Sequence, residues 1–394
     1  MPGRPWRIAL SSQAALVQAS WTGVRLMIGY RALALGADPF VIGLLATSFA
    51  LPALLGALPA GRWSDRAGGP VVALAGVLLA VGGTVCALVL PGLLLLLVSA
   101  GCVGLGLIVV MIGQQTFVAN ASATGDTDAA FGTLTTAASI GQLIGPPLVT
   151  VTASLPVFTG GGELHTTAGI IACGVLLVLA LPCYLPMRRW DRNRIQATRT
   201  ADPERVTQLL RTPQMWRSLI VSGAVLVSVD MMYAFVPVWA TDRGVSATVV
   251  GMLLALRAAV TVASRVGLSQ LVRRFGRRML ITVSIGSAAA GLIALPFVGA
   301  WGAGAVMVAL GVGLGIPQPL TMSWVTSLTR AESHGTALGM RLTSNRVAQI
   351  TVPLAIGALA GPFGIVGIFW ANAVVLMGAM GVMATTRQAD PGAA

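Results

Sequence analysis

The chain has 394 residues, 56% of them hydrophobic and 9% charged, with a mean hydropathy of +0.85. So few charges cannot cover the surface of a soluble protein of this size. The formal net charge of +13 would suit a nucleic-acid binder, but the 25 basic residues are all arginine and most gather in alternate connections between apolar runs. That is the positive-inside pattern of cytoplasmic loops, and it argues against nucleic acid as a partner.

Apolar runs of 18–25 residues recur along the chain, each long enough to cross a bilayer core of about 30 Å. A barrel would show segments of about ten alternating residues, so the spans are expected to be helices. The first, 8–32, follows a basic N-terminus, but Gln13, Gln18 and Arg25 interrupt what would be a signal peptide's apolar region, so an uncleaved helix is expected. Gln18, Thr22, Arg25 and Gly29 share one face of it. Spans 39–61, 70–90, 93–119, 129–155 and 167–187 complete the first half. Cys86, Cys102, Cys173 and Cys183 all fall in spans and read as small hydrophobes, without metal-ligand spacing.

The one long polar connection, 188–213, carries Arg188, Arg189, Arg192, Arg194, Arg199, Arg205 and Arg211, and is expected to be a cytoplasmic linker. It separates residues 1–187 from 214–394, whose spans lie at 214–240, 247–270, 279–299, 302–327, 335–360 and 362–385. An even number of spans with basic loops on one side places both termini in the cytoplasm. The expected fold is an all-α membrane protein with twelve transmembrane helices in two pseudo-symmetric six-helix bundles.

The two halves repeat one another. FGTLTTAASIGQLIGP at 131–146 and LGMRLTSNRVAQITVP at 338–353 align at an offset of 207, matching Gly132 with Gly339, Thr136 with Thr343, Gln142 with Gln349 and Pro146 with Pro353. At 208, Gly36 falls on Gly244, Gly43 on Gly251 and Gly68 on Gly276. Duplicated bundles of this kind build two gates around one site.

The connection after span 2 reads GRWSDRAGGP, with Gly61, Ser64, Asp65, Arg66 and Gly68 at the positions of the loop motif of the major facilitator superfamily, which the chain resembles. Gly69 and Pro70 replace the motif's final basic pair, and the counterpart LVRRFGRR keeps Gly276 but has Arg273 where Asp65 stands. Physically this is a tight turn with a carboxylate near a helix terminus and an arginine latching the cytoplasmic side. Gly61, Asp65, Arg66, Gly68, Arg273, Arg274 and Gly276 are therefore expected to form a cytoplasmic gate. Span 5 carries GQLIGPP, similar to the Gly-x-x-x-Gly-Pro element of drug and metabolite antiporters in that superfamily. Gly141 and Gly145 give a flat surface, and Pro146, with Pro353 in the second half, is expected to bend its span as a hinge. Ala100 stands where many members place a span-4 arginine, so a relay through that residue is not transferable.

Asp230 is the one acidic residue well inside a span. A carboxylate near the bilayer centre costs roughly 2.5–3.5 kcal/mol, so it needs a partner, a proton or water, and desolvation suits it to carry a proton. Tyr233 and Pro237 follow it at helical spacing. Arg25, Arg257 and Arg346 also lie inside spans, Arg346 on one face with Gln349 and Pro353, while Arg265 and Arg341 are expected to snorkel near the cytoplasmic ends. The resemblance implies that spans 1, 4, 7 and 10 line a central cavity, adding Gln318 and Trp324 to its wall. An arginine fork suits a carboxylate or phosphate.

His165 and His334 read as solvated loop residues, and Asp126 and Asp128 as caps of span 5. No phosphate loop, metal cluster or nucleophile–base pair is legible. Taken together, the residues and the resemblance imply a bacterial inner-membrane secondary transporter, not an enzyme. It would be a monomer that exports a small anionic or amphipathic solute in exchange for protons, with no cofactor and the lipid bilayer as its surroundings. The proton would ride on Asp230, and Gln18, Arg25, Tyr233, Gln318, Arg346 and Gln349 would line the substrate path. Proton-coupled uptake or facilitated diffusion of an organic anion is the alternative.

Overall fold

The computed structural model describes residues 5–37, 39–89, 92–122, 127–155, 165–198, 206–243, 245, 247–360 and 364–385. Helix occupies every expected span. The first half runs α1 (Pro5–Ala34), α2 (Pro39–Ala67), α3 (Gly69–Val89), α4 (Leu93–Ala121), α5 (Thr127–Ala153) and α6 (Thr166–Ala180), which continues through a 3-10 turn into α7 (Tyr184–Thr198). The short α8 (Val206–Arg211) precedes α9 (Met215–Asp242), α10 (Ala247–Ser264), α11 (Leu268–Phe275), α12 (Arg277–Ala294), α13 (Ala300–Gly315), α14 (Pro317–Ser327), α15 (His334–Ala360) and α16 (Gly364–Ala384). Among the described residues, eight helical segments are long and apolar enough to cross a membrane, or nine if the bent α10–α11 pair is one span.

Two spans are built differently from their sequence outline. The expected span 247–270 stops at Ser264, and the chain turns by 65° into α11. Gly267 supplies the turn at φ 73°. The span expected at 302–327 is two helices, because Pro317 and Pro319 have no N–H to continue the ladder and Pro317 opens a new helix instead. By contrast α5 runs unbroken through Pro146 and Pro147, and α15 through Pro353. Neighbouring helices and small residues accommodate such prolines in membranes.

Contacts divide the chain into two compact units. The first comprises Met1–Ser122, Thr133–Val206 and Arg330–Thr343; the second comprises Ala123–Gly132, Thr207–Thr329 and Ser344–Ala394. Each unit thus takes in the opening turns of a long helix whose remainder belongs to the other. The first unit packs Val24, Met27, Ile28, Phe49, Leu96, Val149 and Ile170 together, with Trp21 edge-on to Phe49 at 5.4 Å. The second packs Val225, Met232, Trp239, Leu292, Leu310 and Phe369. In lipid such cores gain little from the hydrophobic effect, and close van der Waals packing between helices holds them instead.

Candidate functional site

The repeated glutamine shows what the two halves share and where they part. In the first unit Gln142 of α5 donates from Nε2 to Oε1 of Gln18 on α1, at 3.3 Å. In the second, Gln349 of α15 donates from Nε2 to Oδ2 of Asp230 on α9. The same helix pair is stitched by the same residue in each half, to a neutral amide in one and to a carboxylate in the other. Arg346, one turn before Gln349, donates from Nη1 to its Oε1 at 3.1 Å. Arg346, Gln349 and Asp230 therefore form one hydrogen-bonded chain across α9 and α15.

The exposure of these groups differs. Asp230 is exposed and Arg346 and Gln349 are half-buried, while Gln18 is buried. Arg25 is exposed on α1, with no hydrogen bond or ion pair among the described residues. A Cβ built on Gly29, one turn further on, would meet nothing within 4 Å, so this face is open. Arg25 is thus a mid-helix cation beside open space. The side chains of Tyr233 and Pro237 lie outside the described residues.

Gln318 is held rather than open. Arg265 is buried and donates from Nη2 to Gln318 Oε1 at 2.7 Å and from Nε to the Gly315 carbonyl at 3.2 Å. That carbonyl is the one Pro319 leaves without its i+4 donor, so the guanidinium replaces a missing backbone N–H. The expected snorkelling of Arg265 is corrected on this ground. Arg341, also expected to snorkel, is likewise buried, at 3% exposed.

Gly141 and Gly145 seat the backbone of α1. A Cβ on Gly141 would lie 2.1 Å from the Ala15 carbonyl oxygen, and one on Gly145 would lie 2.4 Å from that of Ala19. The flat surface read from the sequence is present, and its occupant is a neighbouring helix.

At the end of α2, beyond the span, Asp65 receives the opening turn of α15. Its carboxylate accepts from the Gly335 N–H at 2.6 Å, the Thr336 N–H at 2.7 Å and the Thr336 hydroxyl. These are orphan amides of a helix N-terminus, where negative charge is favoured. Burial pushes the carboxyl up from 3.8 to about 6, outweighing the lowering by the Thr336 hydroxyl and the Thr336 and Gly335 amides; Glu332 adds slightly to the rise. Gly61 makes the approach possible, because its Cβ would lie 2.3 Å from the Gly335 carbonyl oxygen. Gly68 follows at φ 89° and its repeat partner Gly276 at φ 77°, both in the left-handed region that explains the shared glycine. Arg66 is exposed.

The second unit carries its own ionic contact, not at the residues the sequence singled out. Arg273 and Arg274 are exposed on the last turn of α11, Arg274 lying over the Phe275 ring at 5.4 Å. Arg277, at the start of α12, instead pairs with both oxygens of Asp128, at 3.1 and 3.2 Å, and the Ser323 hydroxyl donates to the same carboxylate. The capping role expected for Asp128 gives way to this pair, in which the single nitrogen Nη2 of Arg277 bridges both carboxylate oxygens as a charge-assisted donor; Asp126 lies outside the described residues. His334, expected to be solvated, meets Asn120 at 2.8 Å through Nδ1. We expect Asp128→Ala to cost roughly 1–3 kcal/mol, read as a lower Tm in detergent. Arg277→Ala should then cost little more in that background, since the cycle isolates the pair.

The family model described as Major Facilitator Superfamily matches residues 10–350. The chain belongs to the major facilitator superfamily. Among curated proteins none matches. Two solved structures share the fold at 14% identity. One is of the E. coli fucose:proton symporter FucP, with a TM-score of 0.78, covering 97% of this chain and 98% of that one. The other is of FucP, titled as in the outward conformation, with a TM-score of 0.77, covering 98% and 100%. The protein is therefore a secondary transporter of the superfamily with its all-helical fold. The superfamily's loop motif is met here by Gly61, Asp65 and Gly68. Gly335, Thr336, Asp128 and Arg277 complete the contacts; Gly335 and Thr336 carry no mark in the sequence reading, whereas Asp128 reads there as a cap and Arg277 as part of the basic pair of LVRRFGRR. The signal for Gly335 was available in GTALG, where Gly335 and Gly339 repeat at one-turn spacing opposite Ala57 and Gly61.

Proposed function

We propose that the protein moves a small organic solute bearing a negative group across the cytoplasmic membrane by alternating access, coupled to protons at Asp230. The observation that carries this reading is an exposed mid-helix carboxylate joined to a mid-helix arginine through a single amide. An ionised carboxylate within a membrane span is costly, and a proton taken up there neutralises it. Arg25 and Arg346 supply donors for the substrate's anionic group, with Gln18, Tyr233, Gln318 and Gln349 as polar neighbours along the path. The bundles 1–187 and 214–394 are the moving halves, joined by the basic linker 188–213. The Asp65 contact is the cytoplasmic latch of the first unit, and Arg66, Arg273 and Arg274 lie at the cytoplasmic membrane surface. Both termini are cytoplasmic and the monomer is the working unit.

Proton-coupled uptake is the direction we favour, because a solved structure of like fold is that of a fucose:proton symporter. Export in exchange for protons, the expectation from Gly141, Gly145 and Pro146, is the second reading. Those glycines seat α1, so the element is accounted for by packing alone. Inside-out vesicles with an acidified lumen separate the two: an exporter accumulates solute there and a symporter does not.

A thermal-shift screen of carboxylates, phosphates and neutral analogues on the purified protein tests the substrate class. At a free concentration of 100 Kd a ligand stabilises by about 2.7 kcal/mol. Anionic hits should lose this stabilisation in Arg25→Ala. If Arg25→Ala leaves every anionic hit intact while neutral ones disappear, an anion site at Arg25 is ruled out.

A further inference from the structure

Both halves open on the same dipeptide, and the protein covers only the first copy. Trp6–Arg7 stands in the opening turn of α1 and Trp216–Arg217 in that of α9. In each pair the guanidinium lies over the indole, at 5.4 Å in the first and 5.3 Å in the second. There the likeness ends. Trp6 is 2% exposed, edge-on to Phe117 at 5.4 Å and tilted against Trp190 of α7 at 6.2 Å. Asp191, the residue after Trp190, is buried as well. Trp216 is 49% exposed.

The difference comes from the last span of each half. α6 runs on through a 3-10 turn into α7, which carries Trp190 and Asp191, whereas α16 ends at Ala384. Residues 386–394 hold no aromatic side chain to take the place of Trp190. Beside Trp216 the second half has a cavity of about 430 Å³, lined by Pro213, Gln214, Trp216, Arg217 and Thr385. Gln214 turns the chain into α9 in left-handed backbone, at φ 70°, a conformation that non-glycine residues adopt where the surroundings impose it.

The cavity is cationic. Arg217 donates from Nη1 to the Thr385 carbonyl at 3.0 Å, and Arg278 of α12 donates from Nη2 to the Ala384 carbonyl. Two guanidiniums thus stand on adjacent carbonyls at the end of α16, where cations complement the helix. Arg217 Nε is buried and meets no acceptor among the described residues, and no carboxylate lines the cavity. A guanidinium held this way keeps donors in the fork that matches a phosphate. The membrane span begins at Met215, so Trp216 stands at headgroup depth. Ile220, one turn deeper on the same face, is exposed too.

We propose that this cavity binds the headgroup phosphate of an anionic phospholipid, with Arg217 on the phosphate, Trp216 beside the glycerol and an acyl chain against Ile220. The lipid gives the second half the apolar cover and the negative group that α7 gives the first. A free phosphate would supply the charge and leave the indole and Ile220 uncovered, so a lipid is the occupant that satisfies both. An anionic headgroup is favoured over a zwitterionic one, because no lining carboxylate is there to receive an ammonium group.

The test uses the full-length protein in a neutral detergent. The probes are dioctanoyl phosphatidylglycerol, dioctanoyl phosphatidylcholine and inorganic phosphate, read by thermal shift and by native mass spectrometry. Phosphatidylglycerol should raise the Tm saturably and bind at least about tenfold more tightly than phosphatidylcholine, given two arginines at the headgroup. Arg217→Gln should lower its affinity at least about tenfold, the loss of a hydrogen bond to a charged group. Arg189→Gln, which removes an exposed arginine of α7, should leave that affinity unchanged.

Phosphatidylglycerol affinity that survives Arg217→Gln overturns the site. Equal losses in Arg217→Gln and Arg189→Gln overturn it in favour of diffuse attraction to a basic surface. Inorganic phosphate that displaces the lipid and shows the same dependence on Arg217 marks a soluble-anion site, and the lipid assignment falls. Should Arg217→Gln fail to fold, Arg217→Lys replaces it, since it keeps the charge and a donor for the Thr385 carbonyl but not the fork. Phosphatidylglycerol affinity should still fall in that variant; an unchanged affinity overturns the site.

Discussion

Asp230→Asn is expected to abolish accumulation driven by a pH gradient while leaving solute exchange intact. With one proton moved per solute, each unit of pH difference supplies about 1.4 kcal/mol, enough for a tenfold concentration ratio across the membrane. Proteoliposomes of the native protein should approach that ratio, and those of the variant should stop at a ratio of one. Exchange of labelled for unlabelled solute needs no change of protonation and should remain within about threefold of native rates, within the small effects expected when only a neutral mimic is introduced. The physical reason is that Asn resembles the protonated aspartate. It can accept from Gln349 through Oδ1, so the α9–α15 contact survives, and it removes the insertion cost of roughly 2.5–3.5 kcal/mol that a carboxylate carries in the membrane. The variant should therefore be at least as stable as the native protein, which separates loss of coupling from loss of fold. Gradient-driven accumulation that survives intact would remove Asp230 from the mechanism.

How much of this was legible in the chain depends on the scale of the interaction. The spans were, because apolar length against a bilayer of fixed thickness is a one-dimensional signal. The tight turns at Gly68 and Gly276 were, because a left-handed φ of 89° or 77° leaves a glycine in both copies of a repeat. The pairing of Arg346 with Gln349 was, since they stand three residues apart on one helix. Contacts made across long stretches of chain were not. Nothing local to Asp128 announces that Arg277, 149 residues later, will meet it. Arg265 sits at an apparent span end, where snorkelling is the reasonable expectation. The carbonyl that holds it is freed by Pro319, 54 residues away, and only folding brings the two together. The repeat helped most where it failed, since Gln142 and Gln349 are identical while their partners, Gln18 and Asp230, differ by one charge.

The Asp65 contact should be strengthened by acid, and the sign follows from its surroundings. An exposed aspartate ionises near 3.8, whereas burial lifts this one to about 6. The latched conformer therefore holds its proton to higher pH than a released one. Its extra stability is fully present below about 3.8 and is lost as pH rises through about 6. The amides of Gly335 and Thr336 report this directly, since the first-turn N–H groups of a helix have no acceptor within it and here they donate to Asp65. Their hydrogen-exchange protection, corrected for the intrinsic rate, should rise by about tenfold on going from about pH 7.5 to about pH 5, since a carboxyl pushed up to about 6 gains one decade of proton binding over that interval. Asp65→Asn should flatten that dependence without abolishing protection, because its Oδ1 still accepts one amide. Gly61→Val goes further. Its side chain would be driven into the Gly335 carbonyl and the Thr336 Cα, at 2.3 and 3.1 Å from the first added carbon, and backbone on both sides leaves nothing to yield. Protection at Gly335 and Thr336 should then be lost at every pH, and transport should fall by more than tenfold, a displacement at a gate costing about as much as misplacement at a reacting centre. A Gly61→Val protein that keeps both native protection and its pH profile would show that this close approach is not what holds α15 to Asp65.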